Sequence, residues 1–183
     1  MYGLIHEALQ GHVRTSAGDA AWEAVLERAG VDRAVFHSMT QYPDDLTLTL
    51  VSCASEVLSV PAAELLRSFG RYWAVETAPK HYGALMQFTG RSFAEFLSNL
   101  DRMHDRVATI FLNLKQPSFA VEQVGDGLIR LHYRSQRRGL APFVVGLLEG
   151  LAERFRVRLE IEHEQSLDGG ADHDVFVLRY EPL

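Results

Sequence analysis

Cysteine and long hydrophobic runs are nearly absent from this sequence. Cys53 is the only cysteine among 183 residues, so the chain forms no internal disulfide and no zinc site built from several cysteines. No run of about 18 apolar residues is available to span a bilayer. Residues 1–7 reach an acidic side chain before any apolar core, unlike a signal peptide. We therefore expect a cytoplasmic protein with no membrane partner.

An excess of positive charge is absent as well. The chain has 18 Lys and Arg against 24 Asp and Glu, which gives a net charge of -6 and a pI near 5.7. Nucleic-acid phosphates would be repelled by this charge, so we expect no nucleic-acid partner. The sequence shows no repeat, low-complexity tract or long linker, and we expect one domain over residues 1–183.

Apolar residues at helical spacing dominate the first two thirds of the chain. They predict helices over residues 4–13, 22–29, 42–58 and 61–78. Ser92 and Glu95 form a capping-box pattern, which predicts the start of a further helix that carries His104.

The pattern changes after Pro117. Two strands, a helix, a third strand and a last strand are predicted over residues 119–124, 128–133, 142–155, 156–163 and 175–180. Residues 125–127 are typical of a hairpin turn. Helices followed by a small antiparallel sheet with one packed helix indicate an α+β fold.

Tyr133, Ser135 and Arg137 occupy alternate positions near the second predicted strand. If residues 128–137 form a strand, these side chains share one face at spacings of about 6.6 Å. Three hydrogen-bond donors in a row suit a ligand with more than one carboxylate, since an arginine pairs bidentately with one of them. The alternative is an ordinary solvated strand face.

His104 lies within an apolar stripe of its helix, between Leu100 and Val107. A neutral imidazole on such a face needs a partner, and ferrous haem iron is one. Taken alone, His104 is more typical of a core histidine that hydrogen-bonds within the fold. Its occurrence together with the Tyr-x-Ser-x-Arg pattern favours a haem site.

These motifs closely resemble the haem nitric oxide/oxygen binding (H-NOX) family, which includes the haem domain of the soluble guanylate cyclase beta subunit. The resemblance covers essentially the whole chain. It rests on residues 1–5, 69–73, 99–105, 116–119 and 131–137.

The resemblance implies a haem b cofactor and a role for each motif. His104 corresponds to the proximal iron ligand, and Tyr133, Ser135 and Arg137 correspond to the propionate clamp. Pro117 corresponds to a proline that presses on the macrocycle and bends it. The resemblance also implies the H-NOX fold, with haem buried between the helical part and the sheet.

The distal side implied by the resemblance is apolar. Phe143 stands where oxygen-binding members carry a tyrosine, and Ile5, Leu9 and Leu147 add further apolar positions. Bound oxygen gains most from a hydrogen bond, so we expect nitric oxide and carbon monoxide binding with poor oxygen binding. An oxygen-binding member remains the alternative, because a rotated Trp73 indole could donate.

The implied function is a non-enzymatic gas sensor. Nitric oxide would weaken the iron–histidine bond, and the signal would pass in trans to a histidine kinase or a cyclic-di-GMP enzyme. Two alternatives are a haem enzyme of the peroxidase or nitric oxide dioxygenase type, for which the distal side lacks acid–base groups, and a haem-free interaction module. We predict no zinc; His163 and His173 with nearby acids are the alternative, as an oxygen/nitrogen site.

Overall fold

The computed structural model describes residues 1–32, 36–111 and 115–183. The helices of these residues are α1 (Gly3–Ala17), α2 (Asp19–Arg28), α3 (Asp44–Leu58), α4 (Ala62–Tyr72), a π-helical turn (Trp73–Thr77), α5 (Ala78–Thr89), α6 (Phe93–Ser98), α7 (Leu100–Ala108) and α8 (Ala141–Phe155). The strands are β1 (Ser118–Gly125), β2 (Leu128–Arg134), β3 (Val157–Gln165) and β4 (Asp174–Pro182). This order confirms the predicted α+β fold.

The strands form one antiparallel sheet in the order β1-β2-β4-β3. β1 and β2 make the predicted hairpin, and Gly127 in its turn has φ 68°, which suits a residue without a Cβ. β2 lies inside the sheet, so Tyr133 pairs with Phe119 on one side and with Asp174 on the other. Tyr133, the first residue of the predicted clamp, is therefore held by two neighbouring strands.

The buried apolar side chains form two clusters. The amino-terminal core comprises Ala8, Leu9, Val13, Trp22, Val25, Leu26, Phe36, Leu50, Val51, Cys53, Ala54, Leu65 and Phe69. The carboxyl-terminal core includes Phe96, Leu97, Phe119, Ile129, Leu131, Tyr133, Val144, Leu148, Phe176 and Leu178. Trp73 packs against both cores, and Phe143 packs against the amino-terminal core. The predicted distal residue Trp73 thus lies where the two cores meet, and Phe143 lies beside the amino-terminal core.

α4 and α8 approach closely because glycines stand at their contact. A Cβ at Gly70 would overlap the carbonyl of Phe143, and one at Gly146 would overlap the carbonyl of Arg67. The Arg67 guanidinium also pairs with the Glu149 carboxylate across the same contact. The crossing fixes the position of Phe143 relative to the amino-terminal core.

The strand predicted to carry the whole clamp is shorter than expected. β2 ends at Arg134, and Ser135 and Arg137 lie in the segment before α8. The prediction of one shared strand face is therefore wrong beyond Tyr133. The backbone turns there because the Ser135 hydroxyl accepts a hydrogen bond from the Arg137 amide at 3.0 Å, a local alternative to a strand ladder.

The helix predicted from Ser92 has the expected start but is broken. The Ser92 hydroxyl accepts from the Glu95 amide at 3.3 Å, which confirms the cap, while the Glu95 carboxylate accepts from the amide of Arg91. At Asn99 the backbone leaves the helix, with φ -104° and ψ 4°. The side-chain amide of Asn99 donates to the Thr89 carbonyl at 2.8 Å, a tertiary contact that stabilises the break.

The helix predicted over residues 61–78 changes type along its length. α4 ends at Tyr72 and continues as the π-helical turn, so Trp73 begins an irregular segment of the kind often found at functional sites. Among the described residues no single helix is long and apolar enough to cross a membrane. One bent pair, Asp44–Leu58 with Ala62–Thr89 at 107°, meets the requirement by length and composition.

Candidate functional site

His104 lies on α7 with a partly buried imidazole beside β1. Its ring centroid is 5.6 Å from that of Phe119, and its Nδ1 is buried with no hydrogen-bond partner in the described part of the chain. Burial lowers the pKa of His104, although the Asp101 and Asp105 carboxylates and the Pro117 main chain act in the opposite direction. The imidazole is neutral near pH 7, as a metal-ligating histidine must be.

Two carboxylates of α7 hold the segment that enters β1. Asp101 accepts from the Phe119 amide at 2.6 Å and from the Ser118 hydroxyl at 2.9 Å. Asp105 accepts from the Gln116 side-chain amide at 2.9 Å. The predicted proline therefore lies between residues tied to the helix of the candidate ligand. Sequence reasoning missed both carboxylates, although acids three residues before and one residue after a candidate ligand are a readable signal.

Tyr133 and Ser135 stay together although only Tyr133 is in the strand. Tyr133 is buried, with its ring centroid 5.1 Å from that of Phe119. Burial raises the pKa of its phenol, while a hydrogen bond with Ser135 and the charge of Arg137 oppose that rise. Tyr133 therefore remains a protonated hydrogen-bond donor at neutral pH.

Arg137 connects the segment between β2 and α8 to the start of α3. Its Nε and Nη2 donate to the two Asp44 oxygens at 2.9 and 3.3 Å, and its Nη1 donates to the Lys115 carbonyl at 2.7 Å. Partial burial would raise the pKa of Asp44, but hydrogen bonds from the Met1 amino group and from Arg137 outweigh it and hold that pKa below its usual value. Sequence reasoning missed Asp44, which no local pattern connects to Arg137.

The five predicted distal residues come from three separate elements. α1 contributes a partly buried Ile5 and a fully buried Leu9, the π-helical turn contributes Trp73, and α8 contributes Phe143 and Leu147. Ile5, Leu9, Trp73 and Phe143 belong to the amino-terminal core or pack against it. The Phe143 ring also lies 5.2 Å from that of Phe69. The structure thus brings four of them to one core, with Leu147 one helical turn after Phe143.

These residues fit a haem group. The unpartnered Nδ1 belongs to a neutral imidazole, the only protein ligand that a five-coordinate haem iron needs. The phenol, hydroxyl and guanidinium of Tyr133, Ser135 and Arg137 supply donors for two carboxylates. The apolar side chains of α1 and α8 match the apolar face of a macrocycle.

Comparison with known proteins gives the chain its family. The family model described as Haem-NO-binding matches residues 2–163. The chain belongs to the Haem-NO-binding (H-NOX) family. H-NOX domains are haem-binding gas-sensor domains related to soluble guanylate cyclases.

Among curated relatives, this H-NOX chain is 29% identical to Soluble guanylate cyclase gcy-31 and 31% identical to Soluble guanylate cyclase gcy-32, both from Caenorhabditis elegans. These matches cover 92% and 84% of the chain but only 25% and 23% of the relatives. The chain therefore spans about a quarter of their length.

Solved structures share the fold of this H-NOX chain. An H-NOX protein from S. oneidensis in the Fe(II)NO ligation state has a TM-score of 0.89, covers 99% of both chains and is 24% identical. An oxygen-binding H-NOX domain related to soluble guanylate cyclases has a TM-score of 0.83, 99% coverage of this chain, 95% coverage of its own and 20% identity. The predicted H-NOX fold is confirmed.

Two histidines considered for an oxygen/nitrogen metal site have separate partners in the H-NOX chain. His163 contacts the buried Asp174 carboxylate at 2.8 Å. His173 contacts His132 at 2.8 Å and Asp172 at 2.6 Å. No group of three or more potential ligands arranged for a metal ion occurs in residues 1–32, 36–111 and 115–183. The absence of zinc stays a prediction.

Proposed function

We propose that residues 1–183 form one haem-based gas-sensing domain in which His104 is the iron ligand. The buried Nδ1 of His104, which has no hydrogen-bond partner in the part of the chain that the structure describes, supports this most, because buried polar atoms usually have such partners. Haem b supplies the ferrous iron at which a diatomic gas binds. The chain supplies one neutral imidazole, a set of carboxylate donors and an apolar enclosure.

Tyr133, Ser135 and Arg137 hold the two propionates in this proposal. The raised pKa of Tyr133 keeps its hydroxyl proton available, and the arginine adds the positive charge that makes carboxylate burial tolerable. Pro117 would contact the macrocycle on the same side as His104 and so favour a bent haem. Its neighbours Gln116 and Ser118 are tied to α7, which makes this proline a firm contact.

The distal residues favour nitric oxide and carbon monoxide over oxygen. Phe143, Ile5, Leu9 and Leu147 have no side-chain donor, and a polar oxygen adduct gains more from a hydrogen bond than carbon monoxide does. Trp73 is the only one of the five predicted distal residues with a side-chain N–H group. If its indole reached the gas, oxygen binding would follow.

His104 would also be the contact that nitric oxide weakens, so its release from the iron would be the response of the domain to the gas. Loss of the iron–histidine bond would free α7, whose carboxylates Asp101 and Asp105 are bonded to the segment leading into β1. The segment that leads into β1 would therefore change its position when the gas binds. Such a segment with two positions is what a sensor needs. The domain passes this change, without catalysis of its own, to a separate histidine kinase or cyclic-di-GMP enzyme.

Absorption spectra of the ferrous protein test the gas assignment. Nitric oxide and carbon monoxide should each give a stable new spectrum, whereas air should give none. A stable spectrum in air would overturn the proposed selectivity and favour an oxygen-binding domain. Turnover of peroxide above a free-haem control would instead favour a haem enzyme, and a colourless protein after haem supply would favour an interaction module.

A His104→Gly variant tests the ligand. It should lose the ferrous spectrum of the wild type and regain a similar one with free imidazole. His81→Gly is the matched control, because His81 is an exposed histidine of α5. If His104→Gly keeps the wild-type spectrum without imidazole, another side chain binds the iron.

A further inference from the structure

Two buried side-chain atoms that lack a hydrogen-bond partner among the described residues lie on two segments that are hydrogen-bonded to each other. They are Nδ1 of His104 on α7 and Oε1 of Gln116, in the segment that enters β1. The other such side-chain atom in the described residues is Nδ1 of His6, in α1. Buried orphan atoms cost free energy, so a pair of them with complementary chemistry calls for a reason.

The two atoms have complementary proton chemistry. If Nε2 of His104 is committed to iron, the neutral imidazole carries its one proton on Nδ1, which becomes a donor in need of an acceptor. Oε1 of Gln116 is an acceptor in need of a donor. This step rests on the proposed function, because it takes His104 to be the ligand.

The orientation of the Gln116 amide is fixed by its partner. Its Nε2 donates at 2.9 Å to Oδ1 of Asp105, the residue that follows His104 on α7. A carboxylate cannot accept from an amide oxygen, so the amide cannot be flipped, and Oε1 stands on the other branch of the group. Gln116 also directly precedes Pro117, whose main chain raises the pKa of the His104 imidazole. The side-chain amide of Gln116 is thereby held beside the turn of α7 that contains His104.

We infer that Gln116 is the positioning residue of His104, with its Oε1 accepting the Nδ1 proton when haem is bound. Such outer hydrogen bonds fix the tautomer and ring orientation of a metal-bound histidine and raise its basicity. Gln116 therefore sets the strength of the iron–histidine bond. It also sets how readily nitric oxide releases that bond, which makes it a determinant of the sensor's response.

Three variants of the haem-loaded protein test the assignment. Gln116→Leu removes the acceptor, Gln116→Glu keeps an acceptor oxygen whether or not it is protonated, and Gln123→Leu removes an exposed glutamine of β1 as a control. Resonance Raman spectra of the unliganded ferrous protein measure the iron–histidine stretch. The ratio of released to bound histidine under nitric oxide is measured on the same samples.

Gln116→Leu should lower the stretching frequency and shift the ratio toward release by about 10- to 100-fold, the usual effect of losing an outer-shell partner. Gln116→Glu should restore a frequency at or above the wild-type value, and Gln123→Leu should change neither quantity. A wild-type frequency in Gln116→Leu would overturn the inference and assign the proton to another acceptor, such as the Pro117 carbonyl. If the wild type itself shows no iron–histidine band, the proposed function fails instead.

A fourth variant covers the case in which Gln116→Leu does not retain haem. Gln116→Asn keeps a polar amide but shortens the side chain by one methylene group, which withdraws the acceptor oxygen from Nδ1. The inference expects the haem-loaded Gln116→Asn protein to have an iron–histidine stretching frequency below the wild-type value. A wild-type frequency in Gln116→Asn would overturn it.

Discussion

Asp101→Ala is expected to loosen α7 from β1. The carboxylate accepts from the Phe119 amide at 2.6 Å and from the Ser118 hydroxyl at 2.9 Å. Ser118 is exposed, so water replaces its bond, whereas the Phe119 amide makes a partly buried bond beside a buried side chain, where water replaces it less readily. An unpaired, shielded amide costs about 1–3 kcal/mol, so we expect a loss of about 2 kcal/mol in the free energy of unfolding.

Urea unfolding of the haem-loaded protein measures this loss, and thermal unfolding should show a decrease in Tm of about 4–8 °C for a chain of this size. Asp101→Asn keeps an oxygen for the Phe119 amide and should lose less than Asp101→Ala. Ser118→Ala removes only the exposed hydroxyl and should change stability by less than about 0.5 kcal/mol. If Asp101→Ala also stays within about 0.5 kcal/mol of the wild type, the carboxylate does not anchor α7 and the reasoning fails.

Three further predictions concern the clamp, pH and the helix crossing. Arg137→Ala should speed the loss of haem to an acceptor protein. The free energy of unfolding should change by no more than about 1 kcal/mol, because the ion pair with Asp44 is partly exposed. If Arg137→Ala loses haem at the wild-type rate, Arg137 does not hold a propionate. Burial, then the amino-terminal charge, lowers the pKa of His6 to about 4, so the unfolded chain binds the proton first. Stability should fall as pH falls from 6.5 toward 4, by up to about 3 kcal/mol more than in His6→Gln; parallel pH profiles would refute this. Gly70→Ala should lower the free energy of unfolding by about 1–3 kcal/mol, because the added Cβ would overlap the backbone of α8. Gly83 has open space around it, so Gly83→Ala should raise the free energy of unfolding by about 0.5–1 kcal/mol. If both variants shift the urea midpoint equally, the overlap at Gly70 is excluded.

Local sequence signals predicted the elements well. The capping pattern at Ser92, the hairpin around Gly127 and the α+β order are confirmed, because each depends on residues close together in the chain. The break at Asn99 could not be predicted in this way. Its side chain bonds to Thr89 on α5, and the apolar stripe around it continues as if the helix were unbroken.

The candidate site shows the same division. The motif that contains Tyr133 predicts a propionate clamp by resemblance, and this stays a prediction. The strand-face argument was wrong for Ser135 and Arg137, since β2 ends before them. Asp44, the carboxylate that holds Arg137, is 93 residues away in the sequence. This pairing arises because the start of α3 lies beside the segment between β2 and α8 in the folded chain. The periodicity and spacing of residues do not encode such a contact.

The position of Arg137 gives the clamp a second consequence. A guanidinium has five N–H donors, and the bonds to Asp44 and Lys115 use three of them. A propionate can therefore be held without displacing Asp44, because each terminal nitrogen keeps a further N–H group. The cofactor's acid group, the sheet side and α3 would then share one cation. If His104 is released as proposed, movement of the haem would reach α3 of the amino-terminal part through Arg137, in addition to reaching β1 through α7.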